Sequence, residues 1–577
     1  MHYSDNDWTK NFSRKDLADK SNDLIDNIIT SLYSKKINIF TMHSFSKDEI
    51  GILFRWSLYV ATNSFIERLI SILNKKNFFD KININKLENY TYYVSILDFT
   101  KNYYHNNKLN YKLISDIKNI FNNKKEIVRK NPLFLSRRIQ KPKTSYSLEG
   151  LIIFLKRQIS YFNGSFKKNA NIDFLFDNST WLNIIFEKKN MIKELKCKIY
   201  KIDSSTRVKF RDCFFYEFNK FLDNSIFNEL VSDKKKRDSI SYLFAIWVDC
   251  SFSLSIVEGL KDRINFYSQY TDNYNIKYIH SCLGYYFNEN IKVLSILARR
   301  KNAKLVVHEH GVNNFVNYFA SDASNINSYK LLHQIIYQDI FFTWGTGKLG
   351  EQMNNVEKNC KIKVYNFGSV YLENLNKVKK LNQNNIIILF VNSPLNKFMT
   401  NLEEIHPDVN HNHKKNVFLF LKKILKLNLN VKVLFKNFPT NNDHFINQIL
   451  KSEIEQKKIV ITKSASTELM NKANFVLFDM ISTGFAEAIN IGIPSFVFGH
   501  RYHYMQASKE GKIINDKLEK HGMLFYDIDS GIQSFNQLIN NNDKFIESSK
   551  KIFDEFKSIN SYPVSKKLFL EKMDKVL

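Results

Sequence analysis

The sequence predicts an α/β protein built from two Rossmann-like doubly wound domains that face each other across a cleft, with a helix-rich N-terminal region. Three observations lead there. From about residue 131 to 375, short apolar runs alternate with helical segments. A polar stretch rich in Lys and Asn, Glu373–Asn385, stops the alternation. After it the alternation restarts and runs to about residue 540. The expected divisions are a helix-rich region at 1–130, a first unit at 131–375, a second at 384–540 and a helical tail at 541–577.

In chain order, Ile37–Met42 reads as a strand. Asp48–Leu73 follows as a helix, because Ile52, Leu53, Trp56, Tyr59, Val60, Phe65, Leu69 and Ile70 recur mostly at steps of three and four. Arg55, Glu67 and Arg68 interrupt that pattern and are expected on the exposed face. In the first unit Lys198–Ile202, Ile276–Ser281, Leu305–His308, Ile340–Trp344 and Ile362–Phe367 read as strands, and Asn288–Arg299 as a helix. In the second unit the strands are Ile386–Val391, Val431–Phe435, Ile459–Thr462, Val476–Phe478, Phe496–Phe498 and Met523–Tyr526. Helices fit at Lys415–Leu425, His444–Leu450, Ser466–Lys472 and Thr483–Ile489. Asp543–Lys557 is amphipathic, with Phe545, Ile546, Ile552, Phe553 and Phe556 on one face. The C-terminal helix is expected to pack back toward the first unit.

The chain has 577 residues, 44% hydrophobic and 14% aromatic, which suits several large cores and excludes disorder. A formal net charge of +28 points to nucleic acid, an anionic membrane surface or anionic substrates. The Lys excess comes with an excess of Asn, Ile and Phe, and this dilutes its meaning. The basic clusters Arg137–Lys143 and Lys234–Arg237 are short and read as solvated loops. With no binding motif and no basic stripe interleaved with aromatics, nucleic acid is not expected as a partner. Five dispersed cysteines form no CxxC pair, which argues against a zinc knuckle or disulfide framework and for a reducing compartment. The N-terminus, MHYSDNDWTKN, is no signal peptide, and no apolar run is long enough to span a bilayer. A cytoplasmic protein is expected, any membrane contact being peripheral, at the inner face.

The stretch Phe475–Phe498, FVLFDMISTGFAEAINIGIPSFVF, reads as strand, turn, short helix, turn, strand. Asp479 ends the first strand, and Ser482, Thr483 and Gly484 sit where the helix starts. A helix N-terminus at the carboxyl end of a parallel strand favours phosphate. Glu487, near the first turn, cannot bind phosphate but can accept hydrogen bonds from ribose or sugar hydroxyls. An ordinary capped crossover helix explains the same residues.

His308-Glu309-His310-Gly311, with Asn313 beyond it, follows a strand and turns on glycine at the sheet's rim. His310 is a candidate general base, oxyanion or phosphate donor, or one of a metal pair; a buried histidine bonded to backbone is the plainer alternative. Lys436, in Lys436-Asn437-Phe438-Pro439-Thr440, is placed either to neutralise a phosphate or simply in a surface turn. Gly345–Gly350 spells GxGxxG after Trp344, but the next strand ends Tyr365-Asn366-Phe367-Gly368 with no acid for a ribose, so a turn lining the cleft is expected rather than a dinucleotide site. His406, His411 and His413 read as a cleft-side or surface loop. Asp527-Ile528-Asp529 follows the last strand and is discounted as a metal site.

Taken together, these segments resemble a family of transferases encoded with surface-polysaccharide genes (lipopolysaccharide or capsule) and of GT-B-like glycosyltransferase architecture. The matching segments are Phe54-Arg55-Trp56 through Ile66-Glu67-Arg68-Leu69, Glu309-His310-Gly311-Val312, Phe342-Thr343-Trp344-Gly345, Leu389–Leu395, Phe435–Thr440 and, closest, Asp479–Pro494. The family's histidine turn usually has two or three glycines where this chain has only Gly311. The resemblance implies a nucleotide-sugar co-substrate held by the second unit, a glycan or lipid-linked acceptor presented by the first, and neither a metal nor a tightly bound cofactor. It implies His310 as base, Lys436, Ser482, Thr483 and Gly484 on phosphate with Arg501 as a weaker candidate, and Glu487 on the sugar or ribose. Gly311, Asn313, Trp344, Gly345, Ser393 and Asp479 would line the cleft. A nucleotide-sugar epimerase of the same fold and a non-catalytic basic binding protein are the competing readings.

Overall fold

The computed structural model describes residues 14–34, 44–74, 90–93, 107–123, 136–137, 170–176, 180–186, 191–193, 204–222, 226–311, 336–345, 362–375, 386–394, 407–427, 430–438, 443–507, 509–540 and 542–577, with a few single positions between them. The strand expectations at Ile37–Met42 and Lys198–Ile202, most of the polar stretch Glu373–Asn385, Asn313 and the Thr346–Gly350 part of the glycine motif lie outside these residues.

The described helices of the N-terminal region include Arg14–Ser34, Lys47–Leu73 and Asn107–Phe121. Ser46 starts the second of these with a capping box: its side chain accepts from the Glu49 amide, and the Glu49 carboxylate accepts from the Ser46 amide at 2.7 Å. The expected exposed face of this helix does not exist. Arg55, Glu67 and Arg68 are 3%, 2% and 0% exposed. Helix Lys234–Ser251 packs on that side, and the Trp247 indole donates to the Ala61 carbonyl at 3.1 Å. The charges survive burial because they are paired. Arg68 donates to Glu67 at 3.1 Å and to Asn110 at 2.7 Å, and Arg55 to Asp26 at 2.5 Å. The cluster Lys234–Arg237 is likewise not a loop: it is the first turn of the helix capped by Asp233.

A small parallel pair joins β1 (Thr91–Tyr92) to β2 (Ser136–Arg137). The first large sheet contains β3 (Ala170–Phe176), β4 (Met191–Lys193), β5 (Tyr274–Ser281), β6 (Lys304–His308), β7 (Ile340–Thr343) and β8 (Lys363–Asn366), in the order β4-β3-β5-β6-β7-β8. The second contains β9 (Ile386–Val391), β10 (Val431–Lys436), β11 (Ile459–Thr462), β12 (Phe475–Phe478), β13 (Ser495–Phe498) and β14 (Leu524–Phe525), in the order β11-β10-β9-β12-β13-β14. Every pairing within them is parallel. Strands β7, β12 and β13 are buried at all four positions, which is why their sequences are mostly apolar and not alternating. The expected α/β architecture of two parallel sheets behind a helix-rich region is therefore present. β3 and β4 were not expected; Asp173 and the shortness of Met191–Lys193 hide them from an apolar-run search. Among the described residues no helix is long and apolar enough to cross a membrane.

The C-terminal segment packs first on one sheet's helices and then on the other sheet. Helix Asn542–Asn560 sets Phe553 and Phe556 against Phe485, with ring centroids 6.0 and 5.3 Å apart. The chain then runs beside β8: Tyr562 exchanges backbone bonds with Trp344 and Ser369 at 2.9 and 2.7 Å. Gly368 allows this approach, with φ +88° and the Tyr562 carbonyl only 2.9 Å from where a Cβ would stand. Helix Lys566–Asp574 finally places Phe569 against Phe342 and Phe367 of the first sheet.

Lys292, on helix Glu289–Arg299, is fully buried and its ammonium donates to the Leu53 carbonyl at 3.3 Å. Burial lowers its pKa from 10.5 to about 7, against the opposing effect of Glu289. Between those two pH values the unfolded chain holds a proton that the folded chain has released, so stability rises with pH through that window. Lys292→Met should therefore be more stable than wild type near pH 7. Chemical denaturation at pH 7 and 9.5 should show that advantage shrinking at the higher pH.

Candidate active site

In the second sheet the chain runs outward from β9 through β10 to β11, then returns to place β12 on the other side of β9. The carboxyl ends of β9 and β12 thus form the switch point at which ligands bind in open α/β sheets. The last register pair is Val391 opposite Phe478. Beyond it Asp479, 2% exposed, accepts the Ser393 amide on both carboxylate oxygens, at 3.1 and 3.0 Å.

Lys414 completes this junction from helix Pro407–Lys426. Its ammonium pairs with Asp479 and donates to the Asn392 side chain at 2.8 Å, the Ser393 hydroxyl at 2.8 Å and the Ser393 carbonyl at 3.0 Å. Asn392 in turn donates to Asn437, just past β10, at 3.0 Å. Burial lowers the Lys414 pKa and Asp479 opposes the shift. His413 Nε2 lies 3.1 Å from the Asp479 carbonyl, which can only accept, so that nitrogen carries the proton. Burial, with a further contribution from His500, lowers the His413 pKa to about 3, and His503 falls to about 4 for the same reasons. These imidazoles are neutral at physiological pH.

Two expectations are corrected here. Asp479 does not line an open cleft; it is buried under Lys414 and the Ser393 turn. The His411–His413 stretch is no loop: the helix starts at Pro407, a residue suited to a first helical position, and its second turn carries the buried His413 and Lys414.

The helix Thr483–Ile491 begins after Ser482, whose extended backbone (φ −145°, ψ 178°) places it at the N-cap without its hydroxyl capping the helix. Gly492, at φ +86°, ends it in the left-handed region. Facing its start is the turn that follows β6. Glu309 is 1% exposed and accepts the Trp344 amide at 2.6 Å, while its own amide donates to the Phe342 carbonyl at 2.9 Å. His310 is next and half-buried. At Gly311 the approach is so close that a Cβ would stand 2.2 Å from the Thr483 hydroxyl. The two turns singled out from sequence, one from each sheet, therefore meet.

A second bridge lies beside them. Tyr371, in the short helix Val370–Glu373, donates its hydroxyl to Glu487 at 2.8 Å and stacks on Trp344 with ring centroids 6.3 Å apart. Burial raises the Glu487 pKa, the Tyr371 bond opposing it, and burial raises that of Tyr371 as well. Trp344 and Gly345 are buried, and Trp344 borders a pocket together with Glu309, Ser369 and Tyr371. His308 is also buried, as its place within the strand suggested. It shares a hydrogen bond of 2.8 Å with His280, and burial lowers its pKa to about 3.

The remaining predicted residues stand apart. Lys436 ends β10 and donates to the Lys463 carbonyl at 3.0 Å. Arg501 is already engaged: it forms a two-pronged pair with Glu519, at 2.6 and 3.1 Å, and stacks 3.8 Å above the Tyr526 ring. That removes most of its case as a phosphate ligand. Asp527 caps the helix Ile528–Asn540 through the amides of Asp529 and Ser530, which accounts for that motif without a metal. Sequence reasoning missed Lys414 and Tyr371. Lys414 sits in the polar run HNHKKN, and nothing in that run distinguishes it; its role shows only in its bonds to the residues that follow β9 and β12.

This arrangement places a helix N-terminus, a half-buried histidine and a carboxylate at the meeting of two parallel sheets, which suits a transferase site. Residues 4–543 match the LIC12162 family transferase description, and the chain belongs to that family. The protein is thereby a transferase. Among solved structures it is similar to a UDP-GlcNAc 2-epimerase from Neisseria meningitidis bound to UDP-GlcNAc, at 13% identity and TM-score 0.39, over 70% of this chain and 100% of that one. It is also similar to the pneumococcal O-GlcNAc transferase GtfA in complex with UDP and GlcNAc, at 16% identity and TM-score 0.35, over 55% of this chain and 59% of that one. A glycosyltransferase from Rickettsia africae matches at 15% identity and TM-score 0.34, over 55% of this chain and 79% of that one. No curated protein matches the sequence significantly.

Gly311→Ala should force Thr483 aside and destabilise the fold by about 1–3 kcal/mol, the usual cost of overpacking. Thr483→Ala leaves only the Thr483 Cβ, 3.6 Å from the added methyl, and should recover most of that loss in the double variant. A double-mutant cycle by urea denaturation reads the coupling directly.

Proposed function

We propose that this transferase moves a sugar from a nucleotide-sugar donor to a glycan or lipid-linked precursor of a surface polysaccharide. The observation that supports the reading is the contact between the Gly311 turn and the Thr483 helix start, which brings the segment carrying His310 to a helix N-terminus of the second sheet. The donor's diphosphate would lie at Ser482, Thr483 and Gly484, where the helix dipole and amide groups favour negative charge without a metal. Lys436 is a more distant contributor to the same field. Glu487 would exchange its bond from Tyr371 for one from a ribose or sugar hydroxyl. His310 would accept the acceptor hydroxyl's proton as the glycosidic bond forms, and fixed groups would stabilise the departing diphosphate. Family membership favours transfer over the epimerisation that a similar fold supports. A site on the cytoplasmic side, in peripheral contact with the membrane face where lipid-linked acceptors reside, fits the net charge of +28.

The test is a thermal-shift screen of UDP, GDP, CDP, CMP and dTDP, followed by transfer assays with sugar derivatives of the nucleotide that binds. A ligand at about 100 times its dissociation constant stabilises by roughly 2.7 kcal/mol. His310→Ala should keep donor affinity and lower turnover by about 10²–10⁴-fold. Loss of donor binding with turnover preserved would make His310 a binding group instead. Glu487→Ala should weaken donor binding by roughly 1.5–3 kcal/mol in isothermal titration, and unchanged affinity in the folded variant would place the sugar or ribose elsewhere.

A further inference from the structure

We propose that Lys414 is a positioning residue for the anionic donor: it cancels the charge of Asp479 and fixes the Ser393 turn, so that the switch point presents no net negative charge to a diphosphate. The inference rests on the donor reading above and adds a residue and an electrostatic role to it.

Asp479 lies three residues before Ser482, so the carboxylate's backbone is within about 11 Å of the helix start even for a fully extended chain. A carboxylate there serves the fold, since it gathers the Ser393 amide on both oxygens. Left alone it would oppose a diphosphate. Its side chain and that of Lys414 are each 1% exposed, so neither water nor salt screens its field effectively. Lys414 spends its protons on Asp479, Asn392 and Ser393, so it acts on a ligand through these groups and not by touching it. A purely structural brace would use the same bonds but would not distinguish ligands by charge.

The test compares a nucleoside diphosphate with its own nucleoside. UDP, GDP, CDP and dTDP are screened with wild type at pH 8, and whichever binds is titrated calorimetrically beside the matching nucleoside. Lys414→Gln keeps an amide that donates to Asp479 but removes the charge. It should weaken the diphosphate by about tenfold or more and the nucleoside by less than about threefold. Adding Asp479→Asn should restore diphosphate affinity to within about threefold of wild type, as should Lys414→Arg in place of Gln. Should Lys414→Gln fail to fold, the neutral double variant carries the test, because it lacks the unpaired buried carboxylate. Equal weakening of diphosphate and nucleoside, or a double variant that binds diphosphate tenfold more weakly than wild type, overturns the proposal. If wild type binds none of the four diphosphates, the donor reading fails first and the proposal falls with it, a result visible before any variant is made.

Discussion

A buried carboxylate that gathers three chain segments is the interaction on which this site depends. Asp479 closes β12, holds the turn after β9 through the Ser393 amide and anchors the Pro407–Lys426 helix through Lys414. Parallel strands end where their register ends, and nothing in the ladder itself dictates how the chain leaves. Here the departures are set by one ion pair and its hydrogen bonds. Removing one partner of such a pair costs about 3–5 kcal/mol, because the other is left charged in a medium that does not solvate it. The direction in which β12 hands over to Ser482 and Thr483 follows from that anchoring.

The second constraint is contact between the sheets. Gly311 has no side chain where the Thr483 hydroxyl needs the space, and Gly368 admits the backbone of Tyr562 at the first sheet's edge. The Tyr371–Glu487 bond and the crossing of the C-terminal segment act in the same place. The region where the two sheets meet is therefore held by close backbone approach and a few polar bonds. Such contacts fit the proposed site, in which a charged donor and a separate acceptor would both enter.

Much of this was legible in the sequence. FVLF and SFVF announce strands buried on both faces, and ISTGF after an Asp announces a helix start at a strand's carboxyl end. Both turns that meet at Gly311 and Thr483 stand out in the sequence as a strand end followed by glycine or hydroxyl residues. What was not legible depends on tertiary partners. Arg55, Glu67 and Arg68 read as solvent-facing because charge in an apolar helix usually is; Asp26 and Asn110, far away in sequence, make their burial tolerable. His413 read as part of a loop for the same reason, and Arg501 read as a weaker phosphate candidate because Glu519 and Tyr526 are not its sequence neighbours. Periodicity reports which residues a water-facing or core-facing surface would choose, and a buried ion pair violates that rule at both partners.

The central claim is that one site lies between the turn after β6 and the start of the Thr483 helix. Hydrogen exchange measured by mass spectrometry, with and without a saturating nucleoside diphosphate, tests it most directly. Exchange should slow at the amides from Ser482 to Glu487 together with those from Glu309 to Gly311. Protection confined to a different strand end, such as the Asp527–Ser530 turn, with both of these segments unchanged, would contradict it.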